Sequence, residues 1–329
     1  MMSGTVLRCI VLCLLAWAAA PSFGQEPYPS RTVQLIVPFP PGGSQDIVNR
    51  RLAEKFREIW GQPVVVINRP GANGVVAWQA LLSTKPDGYN ILAPAGEGLG
   101  YVHLMNSSIG RPFLEEFVPV SAYAHYPVVF LTNSDIPVGN LRELGAYAKS
   151  NPSALSYGTT GAGSGGHLLF EFFKAQVGVS DTAMPAIHYA GIAPEITALV
   201  GKQIQTAIMP LSSIAGKQID AGTIRALAVS APNRSIFRKE IPTVVEQGFL
   251  DLAARDYLSF WVIDKTPPAV VAKIADATRL ALQDPDVRKK IEEMYLEPEF
   301  LGGADIRKQF ELRSAQFGPL IKKLDIKAQ

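Results

Sequence analysis

The sequence predicts an α/β protein made of two domains. Three observations carry this prediction: short apolar runs alternate with amphipathic helical segments, glycine-rich turns join a strand to a helix in two places, and the alternation gives way to consecutive extended segments from Val118 onward. Alternation at this spacing is typical of βαβ units in a mostly parallel sheet. The extended segments are where we expect the chain to cross from one domain to the other.

The first unit runs from Val33 to Trp60. Residues 33–37 form a short apolar run, as expected of a strand covered on both faces. Residues 38–43, Pro-Phe-Pro-Pro-Gly-Gly, end that strand, and residues 44–60 then show apolar side chains at helical spacing. The helix amino terminus therefore lies at the carboxyl end of a buried strand. Open α/β sheets bind ligands there, and a helix amino terminus favours an anion.

The next elements repeat this rhythm. We predict strands at residues 63–67 and 89–93, a helix at 75–83 between them, and a crossing made by residues 118–123 and 128–132. The predicted strands of the second domain are residues 155–158, 186–189, 205–209 and 224–230, with helices at 141–149 and 167–176. Residues 258–263 are the predicted return crossing, and helices are expected to close the chain.

Domain boundaries follow from the two crossings. The first domain is predicted to combine residues 25–124 with residues 252–329, and the second to span residues 125–251. The chain of roughly 300 residues that remains after residue 24 is long enough for two domains with their own cores.

Residues 1–24 are predicted to be a signal peptide. Arg8 supplies the positive charge, an apolar run follows it, and small residues then offer a cleavage site. The apolar run is shorter than the roughly 20 residues of a membrane-spanning helix. We therefore expect a soluble exported protein with no segment inserted in the membrane.

Composition argues against several function classes. Both cysteines lie in the predicted signal peptide, so the mature chain is expected to lack disulfides, thiolate metal sites and a cysteine nucleophile. Basic and acidic residues nearly balance, 31 against 29, and the basic ones are scattered, which argues against nucleic acid as a partner. The four histidines lack metal-ligand spacing, so neither a metal nor a cofactor is expected.

The residues around the four histidines in the sequence give little indication of a catalytic or metal-binding role. His103 and His125 have no nearby acidic or cysteine pattern, whereas His167 starts a helix and His188 ends a strand. Both of these could face a cleft as hydrogen-bond donors, or have a structural role only. Asp46, in the first turn of its helix, is expected to complement the helix dipole or to orient the preceding loop.

The second glycine-rich turn spans residues 158–167. Gly161, Gly163 and Gly166 show the G-x-G-x-x-G spacing that binds dinucleotides between a strand and a helix. An exported protein meets little soluble nicotinamide cofactor, which argues against that interpretation. Alone, either glycine-rich turn could simply be a tight turn of the backbone.

Two further interpretations of the same turn remain. Residues 162–166 resemble a degenerate nucleophile elbow around Ser164, but no histidine follows His188 to complete a triad of the usual order. The alternative is that both glycine-rich loops bind anions, one in each domain, and face each other across a cleft. Two loops that hold one small acid would couple binding to domain closure. As a pair, the loops favour the binding interpretation.

The chain resembles a known family in several blocks. Residues 28–31 and 37–46 are similar to the opening of the Bug-type solute-binding receptors of tripartite tricarboxylate transporters. Later blocks that resemble the family are residues 61–74, 85–89, 157–164, 224–229 and 241–248. Together they cover essentially the whole mature chain. The resemblance implies a periplasmic-binding-protein-like fold, in which two α/β domains are joined by crossing strands with a ligand cleft between them.

The resemblance also implies the ligand-binding residues. In the family, the first glycine-rich loop holds a ligand carboxylate largely through backbone groups and ordered waters, and the second loop binds the ligand from the other domain. The residues expected to bind are Phe39, Gly42, Gly43 and Ser44 in the first domain, and Thr160, Gly163, Ser164 and His167 in the second. The residues expected to line the wall and set specificity are Ala95, Tyr189, Gln205, Met209 and Tyr257.

Three positions depart from the family pattern. Ala190 stands where the family usually has a cation. Gln205 stands where the family commonly has an aspartate suited to an amine, which favours a simple dicarboxylate or aromatic carboxylate over an amino acid. Glu97 replaces a small hydroxyl residue and would repel an anion unless it faced a ligand hydroxyl, amine or basic ring nitrogen.

The expected function is that of a non-enzymatic periplasmic receptor. It would capture a small carboxylate, either a di- or tricarboxylate or an aromatic one, and deliver it as a monomer to the permease subunits of a tripartite transporter. The alternatives are an exported serine hydrolase that uses Ser164, and a carboxylate sensor that serves a signalling system. Stoichiometric binding without product would separate a receptor from the hydrolase.

Overall fold

Two separate β-sheets organise the part of the chain that this computed structural model describes, which is residues 27–71, 74–96, 100–105 and 109–327. The predicted signal peptide and Glu97 lie outside these residues. The described strands are β1 (Val33–Val37), β2 (Val64–Asn68), β3 (Asn90–Leu92), β4 (Phe117–Tyr126), β5 (Val128–Asn133), β6 (Tyr157–Thr159), β7 (Ala186–His188), β8 (Thr206–Pro210), β9 (Ile224–Val229), β10 (Asp256–Ile263) and β11 (Glu297–Gly302).

Helices cover both sheets. The described helices are α1 (Ser44–Trp60), α2 (Val75–Leu82), α3 (Val102–Met105), α4 (Phe113–Glu116), α5 (Leu141–Ser150), α6 (Gly165–Val177), α7 (Ile192–Val200), α8 (Ser213–Asp220), α9 (Pro268–Ala281), α10 (Pro285–Glu293) and α11 (Gly303–Leu324). Among the described residues, none of these helices combines the length and the apolar character that a membrane span requires.

The first sheet has the strand order β11-β4-β10-β3-β1-β2. Strand β1 pairs in parallel with both β2 and β3, and three of its apolar residues, Val33, Leu35 and Val37, are completely buried. Helix α1 packs Val48 and Leu52 against this sheet, both without exposed area. The predicted strand, loop and helix therefore have the observed bounds.

The second sheet has the strand order β7-β6-β8-β5-β9. Strand β6 pairs in parallel with β7 and β8, whereas β5 runs antiparallel to β8 and β9. Helix α6 buries Leu168, Phe170 and Phe173 against this sheet. The two α/β domains predicted from the sequence are thus confirmed, and we use "first domain" and "second domain" for the elements around each sheet.

The chain crosses between the sheets twice among the described residues. Strand β4 ends in the first sheet at Tyr126, and β5 begins in the second sheet at Val128. The return runs from β9 through a short 3-10 helix, Leu250–Leu252, to β10 in the first sheet. The first crossing lies where the sequence predicts it, whereas the predicted return, residues 258–263, lies within β10 after the chain has already returned to the first sheet. The domain boundaries at residues 124, 125, 251 and 252 stay a prediction.

The end of the chain differs from the prediction that it contains helices alone. Strand β11 separates α10 from α11 and pairs with β4 in the first sheet. Helix α11 then reaches across to the second domain: the Phe317 and Phe172 rings lie 6.2 Å apart, and Lys323 forms a 2.7 Å ion pair with Asp181. Arg313 of the same helix donates to the carbonyl oxygens of Asp251 and Ala253.

Candidate ligand cleft

The carboxyl edges of the two sheets face each other. Strands β1, β3 and β4 run in one direction in the first sheet, and β6, β8 and β9 run in one direction in the second. Tyr126, at the end of β4, is two residues from Val128, which pairs with Pro210 at the end of β8. Both glycine-rich loops therefore follow strands whose carboxyl ends meet at the same gap. This is the usual ligand position for open α/β sheets.

The first loop, Phe39–Ser44, is fixed by a buried carboxylate. Asp46 is only 3% exposed, and its side chain accepts hydrogen bonds from the Gly42 amide at 2.9 Å, from Asn68 Nδ2 at 2.9 Å and from Arg50 Nε at 3.0 Å. Asn68 Nδ2 also donates to the Phe39 carbonyl oxygen at 3.0 Å. Burial alone would raise the pKa of Asp46, but these hydrogen bonds lower it overall. The loop shape is thus set by side chains beneath it.

This arrangement leaves the helix end available to a ligand. The first intrahelical bond of α1 runs from the Ile47 amide to the Gly43 carbonyl oxygen at 3.0 Å. The amides of Gly43 and Ser44 precede that bond, so they have no intrahelical acceptor. The Gly42 amide is already bound to Asp46, which removes Gly42 from the expected donors.

Replacing Asp46 with alanine is expected to weaken carboxylate binding at least about tenfold, because the loop loses the acceptor that fixes it. The free energy of unfolding should fall by about 1–3 kcal/mol, since buried donors lose their partner. Calorimetric titration and urea unfolding would measure the two effects. Asp286→Ala is the matched control, because Asp286 is an exposed first-turn aspartate of α10. Equal affinity in wild type and Asp46→Ala would contradict this role.

The second loop ends in a capped helix. Ser164 is the N-cap of α6, and its Oγ accepts a 3.2 Å hydrogen bond from the His167 amide. Gly163, at φ +72°, adopts a left-handed conformation that glycine tolerates at no steric cost, and its amide donates to His167 Nδ1 at 3.0 Å. The amides of Gly165 and Gly166 belong to the free first turn of α6. Both loops thus present a helix amino terminus to the gap.

His167 supports this loop as a neutral ring. It is 6% exposed, and burial, together with nearby His188 and Lys174, lowers its pKa to about 4. Because Nδ1 accepts the Gly163 amide, the ring proton is on Nε2. His188 lies 4.7 Å away between ring centres and its Nδ1 is 2.8 Å from Thr159 Oγ1. The two histidines thus support the loop: His167 binds the Gly163 amide, and His188 binds the Thr159 side chain.

The contacts of Ser164 do not make it a nucleophile. Its Oγ is a helix cap, and among the described residues no histidine ring nitrogen hydrogen-bonds to it. Nδ1 of the neighbouring His167 is occupied by a backbone amide. A serine nucleophile needs a base within hydrogen-bond reach of Oγ. The same described residues contain no group of three His, Cys, Asp or Glu side chains placed to hold a metal ion.

Some of the predicted wall residues come near the loops. The Tyr189 amide donates to the Thr159 carbonyl oxygen at 2.9 Å, which places half-buried Tyr189 beside Thr160. Ala95 forms an isolated bridge with Leu258 at the carboxyl end of β3. Tyr257 is 5% exposed, with its ring centre 5.8 Å from that of His125, so it packs inside the crossing region rather than on an open wall.

Two predicted wall residues do not line the cleft. Gln205 precedes β8, at the opposite edge of the second sheet, and its Oε1 accepts from the Ser156 amide at 2.9 Å. The prediction followed the family position of an aspartate, but the strand direction places this position away from the gap. Met209 is completely buried in an apolar cluster with Val129 and Leu131, because its side chain points to the covered face of β8.

The structure adds residues that the sequence analysis missed. A cavity of about 20 Å³ between the domains is lined by Tyr101, Arg255 and Asp256 on one side and by Gly165 and Gly166 on the other. None of the residues 39–44 lines it. No local sequence signal marks Tyr101, Arg255 or Asp256, since the last two come beside α6 only through the return crossing, at the start of β10.

Comparison with known proteins decides the family. The model of the tripartite tricarboxylate transporter family receptor matches residues 48–326. The chain belongs to this receptor family. It is 33% identical over 326 residues to a UPF0065 protein of Bordetella pertussis, with 99% of each chain covered. The family is one of receptors rather than enzymes, and the resemblance to Bug-type receptors is confirmed.

Two solved structures resemble this receptor closely. The periplasmic binding protein BugD is 28% identical, with a TM-score of 0.69 over 92% of this chain and 100% of that chain. A protein of R. palustris, Rpa4515, solved with adipate, is 28% identical, with a TM-score of 0.73 over 91% of this chain and 99% of that chain. A solute-binding receptor with two α/β domains is therefore the common architecture.

Proposed function

We propose that this receptor is exported to the periplasm, binds a small carboxylate between its domains and delivers it to the permease of a tripartite transporter as a monomer. The observation that carries the proposal is the pair of helix amino termini, α1 and α6, at the facing carboxyl edges of the two sheets. Each end offers free amides and a positive dipole to an anion. The adipate held by a relative is a carboxylate of the proposed class.

We propose that binding involves a change in domain separation. The cavity between Tyr101 and Gly165 encloses about 20 Å³, which is room for about one water molecule. A dicarboxylate of several carbons needs far more space, so the domains separate to admit it and close around it. We propose that closure brings the Phe39–Ser44 loop and the 160–167 loop onto the same ligand.

Calorimetric titration of the signal-less protein tests the proposal. The protein is unfolded and refolded to remove carried ligand, and then titrated with succinate, adipate, citrate and benzoate. We expect one-to-one binding at micromolar or tighter dissociation constants for one class, and no product by chromatography. Turnover of a carboxylic ester that Ser164→Ala abolishes, without stoichiometric binding, would replace the receptor proposal with the hydrolase.

Ser164→Ala is expected to weaken carboxylate binding about tenfold, because a cap that orders the loop and a hydroxyl donor are both lost. The lost cap should also lower the free energy of unfolding by about 1 kcal/mol. Asn140→Ala is the matched control: Asn140 caps α5 through a 2.9 Å bond from the Glu143 amide, at the opposite edge of the second sheet. If both variants lose a similar amount of stability but only Ser164→Ala loses affinity, the result would support the second loop as a binding element.

A further inference from the structure

Four charged side chains form a cluster beside the first crossing between the domains. His125, the second-last residue of β4, lies opposite Glu297 of β11 and Tyr257 of β10 in the register of the first sheet. Its Nε2 is 3.4 Å from Glu297 Oε2, and its Nδ1 is 3.1 Å from Glu299 Oε2. Arg255, just before β10, forms an ion pair with the same Glu299, with 2.5 Å between Nη1 and Oε1. We call His125, Arg255, Glu297 and Glu299 the hinge cluster.

The hinge cluster also binds the second domain. The Glu297 carboxylate accepts hydrogen bonds from Ser235 Oγ at 2.6 Å and from the Ile236 amide at 3.1 Å. Both donors belong to the segment after β9, which returns to the second sheet through an isolated bridge. In the same place the Phe237 ring stacks on Tyr295, with ring centres 5.0 Å apart. The start of β11 therefore contacts the second domain next to the crossing, and Glu297 is shared by the two domains.

The geometry of the hinge cluster favours a charged His125. A neutral imidazole has one N–H and one bare nitrogen, so it would turn a lone pair toward one of the two carboxylates, whereas the imidazolium presents an N–H to both. Among the described residues, the titratable groups that face the ring are Glu297 and Glu299 from β11, and Arg255 and Tyr257 from the start of β10. Burial lowers the pKa of His125, but the two carboxylates raise it above 6.5 overall.

We infer that the hinge cluster is a latch, which holds the two domains together while His125 carries a proton and loosens when that proton is lost. The described structure has the latch closed, since the cavity between the domains is only about 20 Å³. Loss of the proton leaves two carboxylates with one cation, Arg255. The Glu297 side chain is 13% exposed, and a carboxylate without its cation needs more water than this contact admits. Separation of the domains supplies that water.

Small-angle X-ray scattering of the ligand-free, signal-less protein tests the latch. Because the pKa of His125 is raised, the latch should be complete below pH 6.5 and be lost as pH rises through the folded-state pKa. Wild type should therefore have a larger radius of gyration at about pH 9 than at pH 6.5, with a midpoint equal to that of the His125 ring resonance followed by NMR. His125→Gln, which is neutral throughout, should show the larger radius at both values. His103→Gln is the control, because His103 lies on α3, and it should keep the wild-type response.

Ser235→Ala tests the second-domain side of the latch, since it removes a hydrogen bond to Glu297 and no charge. The radius of gyration at pH 6.5 should exceed that of wild type, while the His125 resonance should still titrate above pH 6.5. A radius equal to that of wild type would show that this contact does not hold the domains together.

The consequence for ligand affinity rests on the proposed function, because the ligand is proposed to bind between closed domains. Adipate is ionised at both pH values, and its affinity for wild type should fall about tenfold from pH 6.5 to about pH 9, since fewer molecules are closed. His125→Gln should not show this fall. The same scattering curve for wild type at both pH values, or an equal pH response in His125→Gln, would overturn the inference. If no carboxylate binds any of these proteins, the proposed function fails, and scattering alone decides whether the latch exists.

Discussion

Replacing Lys174 with methionine is expected to lower the free energy of unfolding by about 3–5 kcal/mol. Lys174 is 2% exposed, and its Nζ forms a 2.9 Å ion pair with Glu171, which also accepts a 2.6 Å hydrogen bond from Tyr157 Oη. Methionine fills nearly the same space but leaves Glu171 buried without its cation. The loss would be measured by urea unfolding followed by circular dichroism.

Lys149→Met is the control for this experiment, because Lys149 lies exposed on α5 and its replacement should change stability by no more than about 0.5 kcal/mol. The double variant Glu171→Gln/Lys174→Met should be more stable than Lys174→Met alone, since it removes the uncompensated charge. A loss below about 1 kcal/mol in Lys174→Met would show that this pair contributes little.

Glu195→Gln is expected to remove most of the pH dependence of stability between about pH 5 and pH 8. Glu195 on α7 has no exposed area, and among the described residues its carboxyl group has no side-chain hydrogen-bond partner. Burial raises its pKa from 4.5 to about 9. The folded state thus keeps a proton that the unfolded state releases, so this group's contribution to stability is complete below pH 4.5 and is lost as pH rises toward about 9.

The size of the change in the free energy of unfolding follows from the pH interval between the two pKa values of Glu195. Each pH unit between the two pKa values changes the free energy of unfolding by about 1.4 kcal/mol, so wild type should lose on the order of 4 kcal/mol from pH 5 to pH 8 through Glu195. Urea unfolding at both values would measure the slope. Glu240→Gln is the control, because the Glu240 side chain is 62% exposed. The same slope in wild type and Glu195→Gln would disprove the assignment.

Local sequence signals predicted the first βα unit with its observed bounds. The strand and helix from Val33 to Trp60 are set by an apolar run, by the Pro and Gly residues that end it and by helical periodicity. All of these act over a few residues. The expectation that Asp46 could orient the loop is confirmed for the same reason, because Gly42 and Arg50 each lie four positions away.

Features that depend on distant residues could not be predicted. Strand β11 contains Pro298 and two glutamates and shows no apolar alternation. It forms a strand because it pairs with β4, which lies far earlier in the chain. The acidic partners of His125 come from that strand, so no nearby acidic residue indicated them. Gln205 was placed by its family position alone, and only the strand order shows that it lies at the wrong edge.

Helix α11 adds a third connection to the two crossing segments. Two links define an axis about which one rigid body can turn against another, but a third link away from that axis resists the turn. From α11, Phe317 and Lys323 contact the second domain through a ring contact and an exposed ion pair, and Arg313 donates to carbonyl oxygens of the return crossing. If the domains rotate as we propose, these contacts must slide or break in every cycle. A tag or fusion partner that disturbs the carboxyl terminus would therefore change ligand affinity from a distance, without touching the binding residues.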